Sequence, residues 1–150
     1  MALLYHSDDD LTAIRPNIFS YGITDFEELM EKSESIINRS LEANWYRGVA
    51  TNNGLDFRTT VFNPELLLNG TTQLVALASY KSLQLIYLFL MKEQGSEPDA
   101  FERQSGTFKK LYGEEMKEVL DAGLDYDWSD DGNIDAGENI VPRIRRLERV

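Results

Sequence analysis

The stretch Leu74-Val75-Ala76-Leu77-Ala78-Ser79-Tyr80-Lys81-Ser82-Leu83-Gln84-Leu85-Ile86-Tyr87-Leu88-Phe89-Leu90-Met91 decides the fold of this chain. It is apolar nearly all round, but Ser79, Lys81, Ser82 and Gln84 interrupt it. That pattern suits a helix buried in a protein core and not a membrane span. With Thr71 or Thr72 as its cap it predicts a central core helix of about 23 residues, roughly 34 Å long. Gly95-Ser96-Glu97-Pro98 should break it.

Working outward, a second long helix is expected from about Asp99 to Leu120, with Phe101, Phe108, Leu111, Tyr112, Met116, Val119 and Leu120 on one face. Upstream, Thr24-Asp25-Phe26-Glu27 has capping-box spacing. It opens a helix carrying Phe26, Leu29, Met30, Ile36, Ile37 and Leu41, expected to end near Ala43 or Asn44. Asn63-Pro64 starts a short helical turn that Asn69-Gly70 closes. The aromatic residues of these helices are read as core.

Residues 45–62 have another character. Trp45-Tyr46 and Val49-Ala50 precede Thr51-Asn52-Asn53-Gly54, and Leu55 to Phe62 follows with β-branched and aromatic residues. Asn-Gly between such segments predicts a hairpin or long loop with Asn53 and Gly54 at its tip. It reads either as a surface ribbon or as an arm that docks on another subunit by edge pairing. The expected architecture is therefore mainly α: a small helical bundle of three main helices over residues 1–139, a projecting β-hairpin or long loop at about 45–62, and an extended basic C-terminal tail over 140–150.

Composition narrows the function. The 150 residues suit one domain, and 42% hydrophobic with 27% charged content is that of a globular protein. Zero cysteines exclude a disulfide scaffold, a thiolate zinc site and a cysteine nucleophile. The lone histidine, His6, lies near a terminus expected to be mobile, which argues against a histidine metal cage or a Ser-His-Asp constellation. With so little acid–base equipment besides carboxylates, no enzymatic activity is expected. The Met1–Tyr5 segment reaches Asp8-Asp9-Asp10 before a run of signal-peptide length can form, so the chain is expected to stay where it is made, away from membranes.

The formal charge of −11 is unevenly spread. Residues 1–113 carry −5, residues 114–138 carry −9, and residues 139–150 carry +3. An acidic total makes a poor sequence-independent nucleic-acid binder. An acidic segment running into an arginine-rich tail suggests head-to-tail self-association or a specific site in each half.

One motif carries chemistry. Asp127-Trp128-Ser129-Asp130-Asp131-Gly132-Asn133-Ile134-Asp135-Ala136-Gly137-Glu138 has the spacing of an EF-hand calcium loop. Asp127, Ser129, Asp131, Asn133, Asp135 and Glu138 would be the ligands, with Gly132 at the sharp turn. Trp128 is bulky for its position, Asn139 and Pro142 do not suit an exiting helix, and the loop is single where EF-hands normally pair. The other reading is an Asp/Gly turn whose carboxylates accept backbone amides. No cofactor is otherwise implied. In the tail, Ile144 and Leu147 alternate with Arg143, Arg145, Arg146 and Arg149. It is either a solvated basic terminus or a strand that adds to a partner through its arginines.

The order of these features resembles the head–tail connector (adaptor) proteins of tailed bacteriophages. The resemblance rests on Asp8-Asp9-Asp10-Leu11, on Asn63-Pro64-Glu65-Leu66-Leu67 before a hydrophobic helix, and on Phe108-Lys109-Lys110-Leu111-Tyr112 feeding Gly123-Leu124-Asp125-Tyr126-Asp127-Trp128. It continues through Asp130-Asp131-Gly132-Asn133-Ile134 and Glu138 to Arg146-Leu147-Glu148-Arg149. The resemblance implies a structural virion protein of the neck, assembled in the host cytoplasm. Copies would form a closed ring, of twelve in this family, between the portal protein and the next neck or tail-completion protein, with DNA passing through unbound. It makes Arg143, Ile144, Arg145, Arg146, Leu147 and Arg149 candidate portal contacts and Asn53 and Gly54 the arm tip. The alternative is a cytosolic interaction module that binds calcium through residues 127–138.

Overall fold

The apolar stretch is helical, and two further helices pack along it. The structure is a computed structural model that describes residues 3–52, 61–94, 98–128 and 139–140. Its helices are α1 (Asp8–Ile14), α2 (Glu27–Leu41), α3 (Arg47–Asn52), α4 (Gly70–Gln73), α5 (Val75–Gln94) and α6 (Pro98–Ala122). Two short strands, β1 (Leu124–Asp125) and β2 (Asn139–Ile140), pair antiparallel. The expectation of a mainly α bundle built on three main helices holds: α5 packs chiefly on α6 and next on α2.

Local chemistry explains most of the boundaries. Pro98 occupies the first turn of α6, where its missing N–H is no loss. Gly123 ends that helix at φ 80°, and its N–H donates to Val119 O at 3.0 Å. Pro64 opens a 3-10 turn over Pro64–Leu66, capped by Asn63, whose side chain accepts from the Glu65 N–H. The acids Asp8, Asp9 and Asp10 fill the first turn of α1, at the positive end of its dipole.

Four sequence expectations need correction. The Thr24–Glu27 capping box does not form; Asp25 Oδ1 instead accepts from the Glu27 N–H at 2.9 Å. The first main helix does not stop at Ala43 or Asn44. It continues through a π-helical turn (Glu42–Tyr46) into α3, so residues 45–52 are helical and not one side of a hairpin. The reason is burial. Leu41, Trp45, Tyr46, Val49 and Ala50 are all buried at helical spacing, which a strand could not deliver to one side. The arm tip, Asn53 and Gly54, lies outside the described residues. The central helix is interrupted at Leu74, whose backbone leaves helical geometry (φ −115°, ψ 0°) between α4 and α5. Finally, His6 is not on a mobile end: it is buried.

Two apolar clusters form the core. One holds Ile37, Leu41, Trp45, Leu74, Leu77 and Val119 with the rings of Tyr46, Phe62 and Tyr126. The other holds Leu11, Ile18, Met30, Leu83, Ile86 and Leu90 with the rings of Phe26, Tyr87 and Phe108. Between them along α2 and α5 lies a buried polar layer of Ser33, Glu34, Ser82 and His6. Glu34 Oε1 accepts the N–H of Leu4 at 2.6 Å and of Tyr5 at 2.7 Å. His6 Nε2 lies 2.6 Å from Ser82 Oγ, which lies 2.6 Å from Ser33 Oγ, and Ser33 donates to Met30 O at 2.8 Å. Donation from His6 through both hydroxyls to the carbonyl satisfies every member of that chain. His6 Nδ1 is buried without a hydrogen-bond partner, 3.8 Å from Glu34 Oε2.

The same segment is pinned at Tyr5. Its hydroxyl donates to Asn38 Oδ1, and its ring passes so close to Gly70 that a Cβ there would lie 3.1 Å from it. Burial, with the Glu34 charge second, pushes the Tyr5 phenol far above its usual range. Glu34→Ala should remove the acceptor from two partly buried amides and cost about 2–4 kcal/mol, as two unsatisfied donors would. Urea denaturation measures the loss, and hydrogen exchange should find the Leu4 and Tyr5 amides deprotected. Unchanged protection there would show that the carboxylate does not hold the segment.

Candidate functional site

The segment after α6 is built into the body on both of its edges. On one edge, Leu124 faces Ile140 and Asp125 faces Asn139. On the other, the Leu68 N–H donates to Asp125 O at 3.0 Å and the Asp127 N–H donates to Leu66 O at 2.9 Å, around a bridge between Leu67 and Tyr126. Gly123 makes this possible, because its left-handed backbone turns the chain off the helix. Side chains finish the junction. Asn69 Nδ2 donates to Asp125 Oδ2 at 2.6 Å, Gln73 Oε1 accepts the Asp125 N–H at 3.1 Å, and the Tyr126 hydroxyl accepts the Asn63 N–H at 3.2 Å.

Aromatic rings lock it from below. Trp128 lies 4.6 Å from Tyr126 and stacks on Tyr46 at 5.6 Å, with ring planes 10° apart. Trp45 meets Tyr126 at 5.7 Å and Trp128 at 6.1 Å, while Phe62 stacks on Tyr126 at 5.8 Å. Such pairs add ~0.5–1.5 kcal/mol each beyond area burial. The indole N–H groups of Trp45 and Trp128 are buried without a hydrogen-bond partner.

Of the six proposed calcium ligands, only Asp127 is among the described residues, and it is 2% exposed at this junction. Ser129, Asp131, Asn133, Asp135 and Glu138 lie outside them, as do the tail residues Arg143, Ile144, Arg145, Arg146, Leu147 and Arg149. Among the described residues, no three acidic or histidine side chains gather as a metal site would require. The pairing of Asp125 with Asn139 nevertheless joins the described residues on either side of the 127–138 stretch.

The polar cluster that the sequence reading missed is the one around His6. Its residue types are those of an acid–base relay, yet Ser82 and Ser33 are fully buried, so neither hydroxyl can meet a substrate. Its role is to hold the N-terminal segment between two helices. A signal for this order exists in the sequence. Ser7 stands three residues before Asp10, and Asp10 Oδ2 accepts from both the Ser7 N–H and its hydroxyl. That is the spacing that marks a helix start, and it ties the terminus down.

No helix among the described residues is long and apolar enough to cross a membrane. Comparison with protein-family models, with curated proteins and with solved structures finds no match to this chain.

Because Gly123 sits at φ 80°, Gly123→Ala should lose about 1–2 kcal/mol, the cost of a side chain in left-handed backbone. A thermal melt should register it as a drop of roughly 2–8 °C, at ~2–4 °C per kcal/mol for a domain of this size. An unchanged melting temperature would mean that the turn is not fixed as described.

Proposed function

We propose that this protein is a head–tail connector subunit of a tailed phage, acting through protein interfaces and without chemistry of its own. One observation carries the reading. Two stretches on which the resemblance rests, Asn63–Leu67 and Gly123–Trp128, are hydrogen-bonded to one another and share an apolar cluster. Parts of one shared motif would be expected to meet in this way. β2 also fixes the point from which the basic tail departs, as a gripping segment needs.

In this reading, copies pack side by side in a ring of twelve between the portal and the next neck component. A cyclic ring uses heterologous contacts, one surface meeting a different one on the neighbour. The exposed positions Gly106 and Gly113, two turns apart on one face of α6, suit such packing. A Cβ on either would meet nothing within 4 Å. Glycine in a helix interior costs about 1 kcal/mol relative to alanine, which a close-packed neighbour offsets. Arg143, Arg145, Arg146 and Arg149 are the proposed portal contacts, and DNA passes the ring unbound.

Native mass measurement with the portal ring of the same phage tests this. The full chain should add a ring of copies to the portal. A chain ending at Ile140, which keeps the β1–β2 pairing, should bind at least tenfold more weakly, as loss of about 1.4 kcal/mol implies. Wild-type affinity in that variant would refute the tail assignment, and failure of the full chain to join the portal would refute the connector reading.

The closure of the 127–138 stretch by Asp125 and Asn139 favours a second reading, a calcium-binding interaction module. Trp128, packed on Tyr46 and Tyr126, is its reporter. If calcium binds there, titration should change Trp128 emission saturably at micromolar concentrations, a range typical of sensor loops (~10⁻⁷–10⁻⁵ M). Glu138→Gln should abolish the response. A flat titration would leave the stretch as a structural turn.

A further inference from the structure

The last turns of α6 carry a groove that the connector reading leaves unused. Val119, Ala122 and Leu124 give it an apolar floor, Glu115 and Glu118 an acidic rim, and its volume is about 240 Å³. It lies at the negative end of the α6 dipole. Burial raises the Glu115 carboxyl above its usual range, and the neighbouring Glu118 charge raises it further. A cation placed there would relieve that repulsion.

The strand register says which segment reaches it. With Leu124 paired antiparallel to Ile140 and Asp125 to Asn139, β2 points from Asn139 toward Gly123 and Ala122. It heads toward the groove and not away from it. Three extended residues cover ~10 Å, enough to bring position 143 beside the last turn of α6. The sequence arriving there is Val141-Pro142-Arg143-Ile144-Arg145-Arg146-Leu147, in which apolar and basic residues interleave. An apolar floor between carboxylates is the complement of that pattern.

We propose that the groove is the docking site of this chain's own segment 141–147, with Ile144 on the Val119–Ala122 floor and Arg143 and Arg145 paired to Glu118 and Glu115. Arginine suits the role, since its planar fork matches a carboxylate and the helix-end carbonyls together. The inference does not rest on the connector reading. Were both right, the tail would be stored on its own subunit before it meets the portal.

The absence of cysteine from the chain makes the test direct. Ala122→Cys is combined in the full chain with Arg143→Cys, Ile144→Cys or Arg145→Cys. Thr107→Cys with Arg143→Cys, farther up α6, is the control. Under mild oxidation without portal, at least one pair with position 122 should close an intrachain disulfide faster than the control. Adding Glu115→Gln and Glu118→Gln, or 1 M salt, should slow it by about fivefold, the scale of two half-exposed ion pairs. Closure no faster than the control would overturn the proposal, as would disulfides only between chains, which would assign the groove to a second copy. Rates indifferent to both the carboxylates and salt would overturn the ion pairing that defines it.

Discussion

A carboxylate inside a bundle is expensive unless its lone pairs are filled, and the way Glu34 fills them organises this molecule. It sits where two apolar clusters meet, and it accepts the amides of Leu4 and Tyr5. Leu4 and Tyr5 lie in a bend ahead of α1, outside any helix or strand that would take up their N–H groups, and their amides in turn compensate the buried carboxylate. Each side therefore needs the other. The consequence is positional. Tyr5 is brought against Gly70 and His6 against Ser82, so the N-terminal segment spans α2, α4 and α5.

That span reaches the far junction through few intermediates. Gly70 stands directly after Asn69, which holds Asp125, and Leu67 is bridged to Tyr126. The stretch from Leu66 to Gln73 thus has the N-terminal segment on one side and the α6 exit on the other. It runs from the end of the Pro64–Leu66 turn through α4 to the break at Leu74. Irregular backbone of this kind persists only when its polar groups are paired. Here local turns take up most of them, and Leu66 O and the Leu68 N–H are paired with Asp127 and Asp125.

How much of this was legible in the sequence follows from the type of signal each part leaves. Long apolar periodicity marked α2, α5 and α6, and the Asn63-Pro64 and Pro98 boundaries followed from proline's fixed φ. Trp45-Tyr46 and Val49-Ala50 misled, because two adjacent pairs four apart are also β-rich dipeptides. Only the position of Phe62, Tyr126 and Trp128 decides that they are helical. The His6–Ser82–Ser33–Glu34 layer was illegible for a different reason. Its members are 76 and 49 residues apart along the chain at its widest contacts, and polar residues within amphipathic helices read as exposed faces. At the junction, Gly123 to Trp128 and Asn63 to Leu67 stood out as motifs, while nothing in the sequence linked them to one another or to 139–140.

The charge arithmetic acquires a location through that pairing. Residues 114–138 hold −9 and residues 139–150 hold +3, and β1 with β2 joins the two at one end of the bundle. Opposite charges tethered at a common point interact at high effective concentration, whether within one subunit or across a subunit contact. The proposed ring would use the second arrangement, and the proposed docking in the α6 groove the first. Between those two proposals the apolar residues of the tail, Val141, Ile144 and Leu147, would decide, since they would gain only where a partner offered more apolar surface than the α6 groove. A tail of this composition would distinguish partners by their hydrophobic surface and be held in place meanwhile by its arginines.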